Sequence, residues 1–238
     1  MIRIEQTEVV GWEHAIRGMR NPMNSCDKSD SRYGCYADMG RPTFCVSGEK
    51  ACIYWVHDKC YINSEEMIIG PNDLALMKKL CKAGTDHRKF MRMIVVYCDI
   101  TAPLYWWKEF DTYKVGTVAN SCSTMHRIHS KELTLDDFSW EHLTQDGVNC
   151  ILEAINQLNF ARTAYIESKD KFYFNEMIQL LPTSYNQKRT VMMNYEVLAN
   201  IYNARKNHKL DEWRELCKWI EALPYSVLMT GKDGEPDG

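Results

Sequence analysis

The stretch NYEVLANIYNARKNH, residues 194–208, sets the strongest condition on how this chain folds. At about 100° per residue, Val197, Leu198 and Ile201 mark the buried stripe of a helix. Asn194 and Arg205, three turns apart, project close to the centre of that same stripe, and His208 points the same way if the helix runs that far. Burying an amide and a guanidinium without partners costs several kcal/mol. This face therefore either carries a buried hydrogen-bond network or lines a cavity that holds a polar ligand.

A second segment repeats the theme. Pro103 suits the first position of a helix, and the spacing predicts that helix from Leu104 to about Lys114. Trp106, Trp107, Phe110 and Tyr113 form an aromatic stripe with Lys114 projecting among them. Either the lysine stem lies over the rings and sends its ammonium to water, or a flat ligand stacks there with an anionic group near Lys114. The loop VGTVANSCSTMH follows and concentrates Thr117, Asn120, Ser121, Ser123 and Thr124, groups suited to holding a nucleotide or to building turns. Cys122 and His126 suggest a thiol beside a base, although sequence neighbours rarely face each other productively and an inert thiol is the plainer account. His126 and His129 have no third ligand at useful spacing.

A chain of 238 residues, 45% hydrophobic, can bury one substantial core. No Pro/Gly/Ser-rich linker divides it, which predicts a single domain over 1–230 and a disordered tail, GKDGEPDG, over 231–238. A net charge of -3 gives no general pull toward nucleic acid or anionic membranes, so phosphate binding must come from a local site. The N-terminus lacks the apolar run of a signal peptide, and no stretch of about eighteen apolar residues occurs, which together predict a cytoplasmic protein. Of ten cysteines, Cys26, Cys35, Cys45, Cys52 and Cys60 fall in one stretch with His57. That hints at zinc, but no C-x2-C pair is present, so scattered reduced thiols and no metal are expected.

Patterning predicts a strand over Ile2–Val10, a short helix around Trp12–Arg20 and an irregular segment over 24–66 in which Cys52–Val56 reads as a strand. A helix over Leu74–Lys82 follows, with Asn72 or Asp73 as N-cap and Gly84 just beyond its end. Met93–Ile100 reads as a strand. Residues 115–147 read as mostly loop, before helices over about Val148–Ser168, Phe172–Leu181, Asn194–Lys206 and Leu210–Ala222. Many helices, few strands and no regular βαβ alternation make the expected class α+β, with helices on a mainly antiparallel sheet.

The order AGTDH, strand, ITAP, helix, TYKVGTVANSCST, and then QLLPTSYNQKRTVMMNYEVLANIYNARKNHKLDEW resembles the flavin-dependent thymidylate synthases over roughly residues 1–23 and 67–222. Residues 24–66 then read as an insertion. In that family a helix-ending Gly is followed by a His, a strand, Ala-Pro, a helix and an Arg-His-Arg signature. The resemblance places His87 on a flavin-contacting His, Thr112, Tyr113 and Lys114 on the Arg-His-Arg triplet, and Thr117 on its Ser. It places Asn194 and Asn200 on flavin-binding asparagines, Arg205 on the arginine that contacts the nucleotide base, and His208 near a flavin-side His.

There are departures. Only Lys114 keeps charge in the triplet, and lysine does not reproduce bidentate arginine recognition of phosphate. Glu109 stands for a nucleotide-side Gln, Ile178 for a nucleotide-contacting Arg, and Thr124 and Met125 stand near a phosphate-binding Arg. Asn120 and Ser123 match their counterparts only with a shift of register.

What the resemblance implies is FAD as cofactor, NADPH and methylenetetrahydrofolate as co-substrates, a pyrimidine deoxynucleotide monophosphate as substrate, and a homotetramer. One carbon, methyl or hydroxymethyl, would be transferred to C5 of a dUMP-like base. Arg205 would stabilise charge developing on the pyrimidine. His87, Lys114, Asn194, Asn200 and His208 would hold FAD, and Glu109, Asn120, Ser121 and Ser123 would meet the nucleotide. The alternatives are a homologue that binds nucleotide or flavin without catalysis, and a cysteine-rich zinc protein.

Overall fold

The strand that organises the fold is one that its own sequence conceals. In a computed structural model describing residues 2–33, 55–56, 59–60 and 67–232, Asn186–Asn194 forms a strand where no element was expected. Its inward positions are Gln187, Arg189, Val191 and Met193, polar in the first half and apolar only in the second, so the usual alternation is missing. Numbered in chain order, the strands are β1 (Arg3–Val10), β2 (Arg32–Tyr33), β3 (Trp55–Val56), β4 (Lys59–Cys60), β5 (Met67–Ile68), β6 (Val95–Pro103), β7 (Val118–Ser121) and β8 (Asn186–Asn194). The helices are α1 (Trp12–Arg20), α2 (Pro71–Lys82), α3 (Leu104–Phe110), α4 (Thr124–Arg127), α5 (Gln145–Ser168), α6 (Lys171–Leu180), α7 (Tyr195–Arg205), α8 (Asp211–Glu221) and α9 (Val227–Thr230). The expected α+β class holds. The chain divides into two compact units, Met1–Val9 with Val95–Gly238, and Val10–Ile94.

In the larger unit the sheet runs β1-β6-β8-β7. β8 pairs antiparallel with β6 from Val95↔Asn194 to Pro103↔Asn186 and with β7 from Val118↔Met192 to Ser121↔Arg189. Val96, Cys98, Ile100 and Ala102 bury one face of β6, while Tyr97 faces out. Pro103 ends the strand and caps α3 instead of opening it, and α3 stops at Phe110, so Tyr113 and Lys114 lie in the turn beyond. Trp106, Trp107 and Phe110 are fully buried; Trp106 stacks on Phe110 at 5.0 Å and meets Trp213 of α8 at 4.8 Å with the rings tilted by 41°. Those rings of the aromatic stripe are core. A second apolar cluster forms where α5 meets α6, around Ile155, Leu158, Ala161 and Met177. Asn194 is the last residue of β8 and the N-cap of α7, its Oδ1 accepting from the Val197 N–H at 3.0 Å. It is therefore not a residue of the helical stripe.

In the smaller unit α1 buries Trp12, Ala15, Ile16 and Met19. β2 pairs with β5 and β3 with β4, both antiparallel. α2 begins one turn earlier than expected, with Gly70 at the cap and Pro71 at its start. Its free N–H groups are satisfied from far along the chain, since the Asp30 carboxylate accepts from Asn72 N at 2.8 Å and Asp73 N at 3.0 Å. A side chain at Gly70 would run into Asp30. Asp73 is not a cap either. Its carboxylate is buried, accepting from Arg20 Nε, the Ser29 hydroxyl and the Ser31 hydroxyl, each at 2.6 Å, and from two backbone N–H groups.

Cys35, Cys45, Cys52 and His57 lie outside the described residues, as do the side chain of Cys60, much of the expected insertion and the tail from 233 on. The described cysteines Cys26, Cys81, Cys98, Cys122, Cys150 and Cys217 are free thiols.

Candidate functional site

The site is assembled by four pieces of the larger unit. α3 supplies Glu109, the turn after it Tyr113 and Lys114, the end of α7 Arg205, and α8 Trp213. Arg205 donates from Nε to the Tyr113 hydroxyl at 2.8 Å and from Nη1 to Glu109 Oε1, while its guanidinium lies 4.8 Å from the centre of the Trp213 ring. The other Glu109 oxygen accepts from Trp213 Nε1 at 2.7 Å, and His208 Nε2 is 3.7 Å from Oε1. Burial alone would loosen the proton on Arg205, but Tyr113 and Glu109 outweigh it and hold the guanidinium more firmly protonated than usual. Of the two possibilities open for this face, a hydrogen-bond network is present, and it leaves Arg205 and Glu109 partly exposed.

Beside it lies a cavity of about 410 Å³, bordered by Phe110, Asp111, Tyr113, Lys114, Thr117 and Arg189. That volume falls within the range of small-molecule sites. Gly116 bends the chain there with φ +79°, and a Cβ at this position would meet the Asn194 amide nitrogen at 2.7 Å. Lys114 is exposed and makes no ion pair among the described residues. The Thr117 Oγ1 is buried with no partner.

Arg189 was not singled out in the sequence. Its guanidinium lies 4.2 Å from the Trp107 ring centre, with Nε donating to Gln187 Oε1 at 2.9 Å and Nη1 to Asp111 Oδ1 at 2.8 Å. Gln187 is itself held by the Cys122 carbonyl at 2.9 Å. The signal that would have found it is a cation on the inward side of a strand, but β8 had to be recognised first.

The other expected residues are spread more widely. Asn120 and Ser121 are neighbours on β7 and so face opposite sides of the sheet, with Ser121 opposite Arg189 and Asn120 opposite Thr190. The Ser123 hydroxyl caps α4, accepting from His126 N at 3.2 Å. Asn200 is exposed on α7, and His208 follows the helix end, its Nδ1 accepting from Leu210 N at 3.2 Å. His87 belongs to the smaller unit, exposed in the turn after Gly84. His129 packs edge-on against Tyr165 at 5.1 Å. Among the described residues no group of three or more His, Cys, Asp or Glu could hold a metal ion. No helix among them is long and apolar enough to cross a membrane.

This architecture is the fold of the flavin-dependent thymidylate synthases. The flavin-dependent thymidylate synthase ThyX from Helicobacter pylori, solved with FAD and dUMP, superposes with a TM-score of 0.61 at 14% identity, over 97% of this chain and 98% of that one. A second structure of that enzyme with FAD and dUMP gives 0.62 at 15% identity, over 98% of each chain. The UMP/dUMP methylase PolB from Streptomyces cacaoi, bound with 5-Br dUMP, gives 0.55 at 13% identity over 97% and 95%. No protein-family model matches the sequence, and no curated protein matches it.

Proposed function

We propose that this chain is a flavin-dependent one-carbon transferase acting at C5 of a pyrimidine deoxynucleotide monophosphate. The observation that carries the reading is the pairing of a near full-length likeness to enzymes solved with FAD and dUMP with a cavity where the signature turn falls. The residues present suit an anionic, ring-bearing ligand. Lys114 and Arg189 offer positive charge, Tyr113 an aromatic face and hydroxyl, and Thr117 an unpaired hydroxyl. Lys114, Asn194, Asn200, His87 and His208 are the proposed contacts to FAD, with the Asn194 amide nitrogen left as a donor once its oxygen caps α7.

When bound, reduced flavin supplies the hydride; methylenetetrahydrofolate would bring the carbon and NADPH would reduce the flavin. Arg205 would polarise a pyrimidine carbonyl, held in orientation by Tyr113 and Trp213 so that little reorganisation is needed as charge develops. Glu109, Asn120, Ser121 and Ser123 are the proposed nucleotide contacts. A homotetramer in the cytoplasm belongs to the same proposal.

A second reading has its own observation. Glu109 already neutralises Arg205, which weakens that guanidinium as a partner for negative charge on the base. This favours a homologue that binds nucleotide or flavin without turnover. Two measurements decide. Purified protein should carry, or take up, a flavin with its visible spectrum. Given methylenetetrahydrofolate and NADPH, it should release label from C5 of labelled dUMP or dCMP. Flavin bound with no release from either nucleotide favours the binding protein, and a colourless protein that refuses FAD removes the flavin reading.

A further inference from the structure

We infer that Arg189 and Lys114 form a phosphate-binding site in which β8 supplies the guanidinium that the signature turn lacks. The inference rests on reading this cavity as part of a nucleotide site, but it concerns phosphate and needs no turnover.

Arg189 is held in one orientation. Its side chain is 15% exposed, flat over Trp107, and fixed by Gln187, whose own amide is tied to the Cys122 carbonyl. The neighbour below and the neighbour beside it thus set the plane and direction of the fork. Only 15% of a guanidinium side chain reaching the surface at a cavity wall is a poor arrangement for mere solubility. Its Nη2 has no partner among the described residues, so one edge of the fork remains for a ligand. Lys114 borders the same cavity without a counter-charge among the described residues, and Thr117, which also lines it, has a buried hydroxyl with no partner. Two cations and a hydroxyl around one cavity suit a phosphoryl group, which accepts a guanidinium edge and an ammonium together.

Asp111 completes the arrangement. It holds Arg189 at 2.8 Å but is half exposed, so it acts as an exchangeable stand-in for the anion. A phosphate entering the cavity would displace it, and its removal should improve binding instead of harming it.

Calorimetric titration of the full chain with inorganic pyrophosphate tests this directly. Wild type should bind, Arg189→Met should weaken binding at least tenfold, and Asp111→Asn should tighten it several-fold. Binding should weaken steeply with added salt. The Asp111 arm guards against misfolding, because an unfolded variant cannot bind more tightly. Comparing FAD with riboflavin and dUMP with deoxyuridine then identifies the source of the phosphate. The Arg189→Met loss should fall on the phosphorylated member of one pair or both, and spare the unphosphorylated one. Equal losses with and without phosphate, no binding of pyrophosphate to wild type, or weaker binding in Asp111→Asn would overturn the assignment. Pyrophosphate binding as expected, with neither FAD nor dUMP bound, would keep this site and remove the proposed function.

Discussion

Two arginine–carboxylate pairs in this protein share their chemistry and differ in how they are enclosed. In the smaller unit, Asp73 and Arg20 are sealed, with side chains 0% and 6% exposed, and the carboxylate accepts from two serine hydroxyls and two backbone N–H groups besides the guanidinium. In the larger unit, Glu109 and Arg205 are 32% and 19% exposed, beside the cavity. Asp73 has nothing left to exchange and holds the loop of residues 29–31 against α2. Glu109 shares its guanidinium with Tyr113 and Trp213, and both members of the pair keep some surface open to solvent. A pair becomes structural when every lone pair is satisfied out of water, and functional when one partner can be replaced.

The largest effect should come from breaking the sealed pair. Asp73→Ala strands Arg20 without its counter-charge and should cost about 3–5 kcal/mol, seen in denaturant melts and in loss of amide-exchange protection across α1 and α2. A change below about 1 kcal/mol would mean that the hub is dispensable. Acid should do the same reversibly. Burial pushes the Asp73 carboxyl up, but Ser29, Ser31 and Arg20 together hold it below its ordinary 3.8. The folded form therefore binds the proton more weakly than the unfolded chain. Its contribution is complete above the unfolded value and fades as the pH falls through the folded one. The wild type should lose this stability in that acid range, and Asp73→Asn should not show the same step.

The exchangeable pair should respond in activity more than in stability. Arg205→Ala is expected to lower kcat/KM for label release roughly a hundredfold, about 3 kcal/mol, with a much smaller change in melting temperature. If melting falls as far as in Asp73→Ala, the contrast between the pairs is lost. Glu109→Gln should be gentler still. The amide oxygen can keep the Trp213 bond while the charge on Arg205 is freed, so stability should shift by about 1 kcal/mol or less. Nucleotide affinity by calorimetry should rise a few-fold, and an unchanged or weaker affinity would count against exchange. The smallest effect belongs to the exposed Glu215–Lys218 pair of α8, where Lys218→Ala should stay within about 0.5 kcal/mol.

What could be read from the chain itself were elements with a complete local pattern. β6, α5, α6 and α8 lie close to where Val, Ile and Tyr content or helical spacing put them. The stretch around Arg205 announced polar groups facing inward before any fold was known. α2 was legible as a helix, but the cap expected at Asn72 or Asp73 is not the one used: Gly70 holds the cap position, and the carboxylate that accepts from the first N–H groups is Asp30, 42 residues before Asn72.

Tertiary structure decided the rest. β8 is a strand because β6 and β7 flank it, not because its own residues alternate, and recognising it moves Asn194 from a helical stripe to a strand end and helix cap. Arg189 enters the site by that pairing alone. Sequence spacing governs what a segment does by itself, since side chains three or four residues apart share a face. Which partner satisfies a buried charge depends on contacts closed across tens of residues, and no local period encodes those.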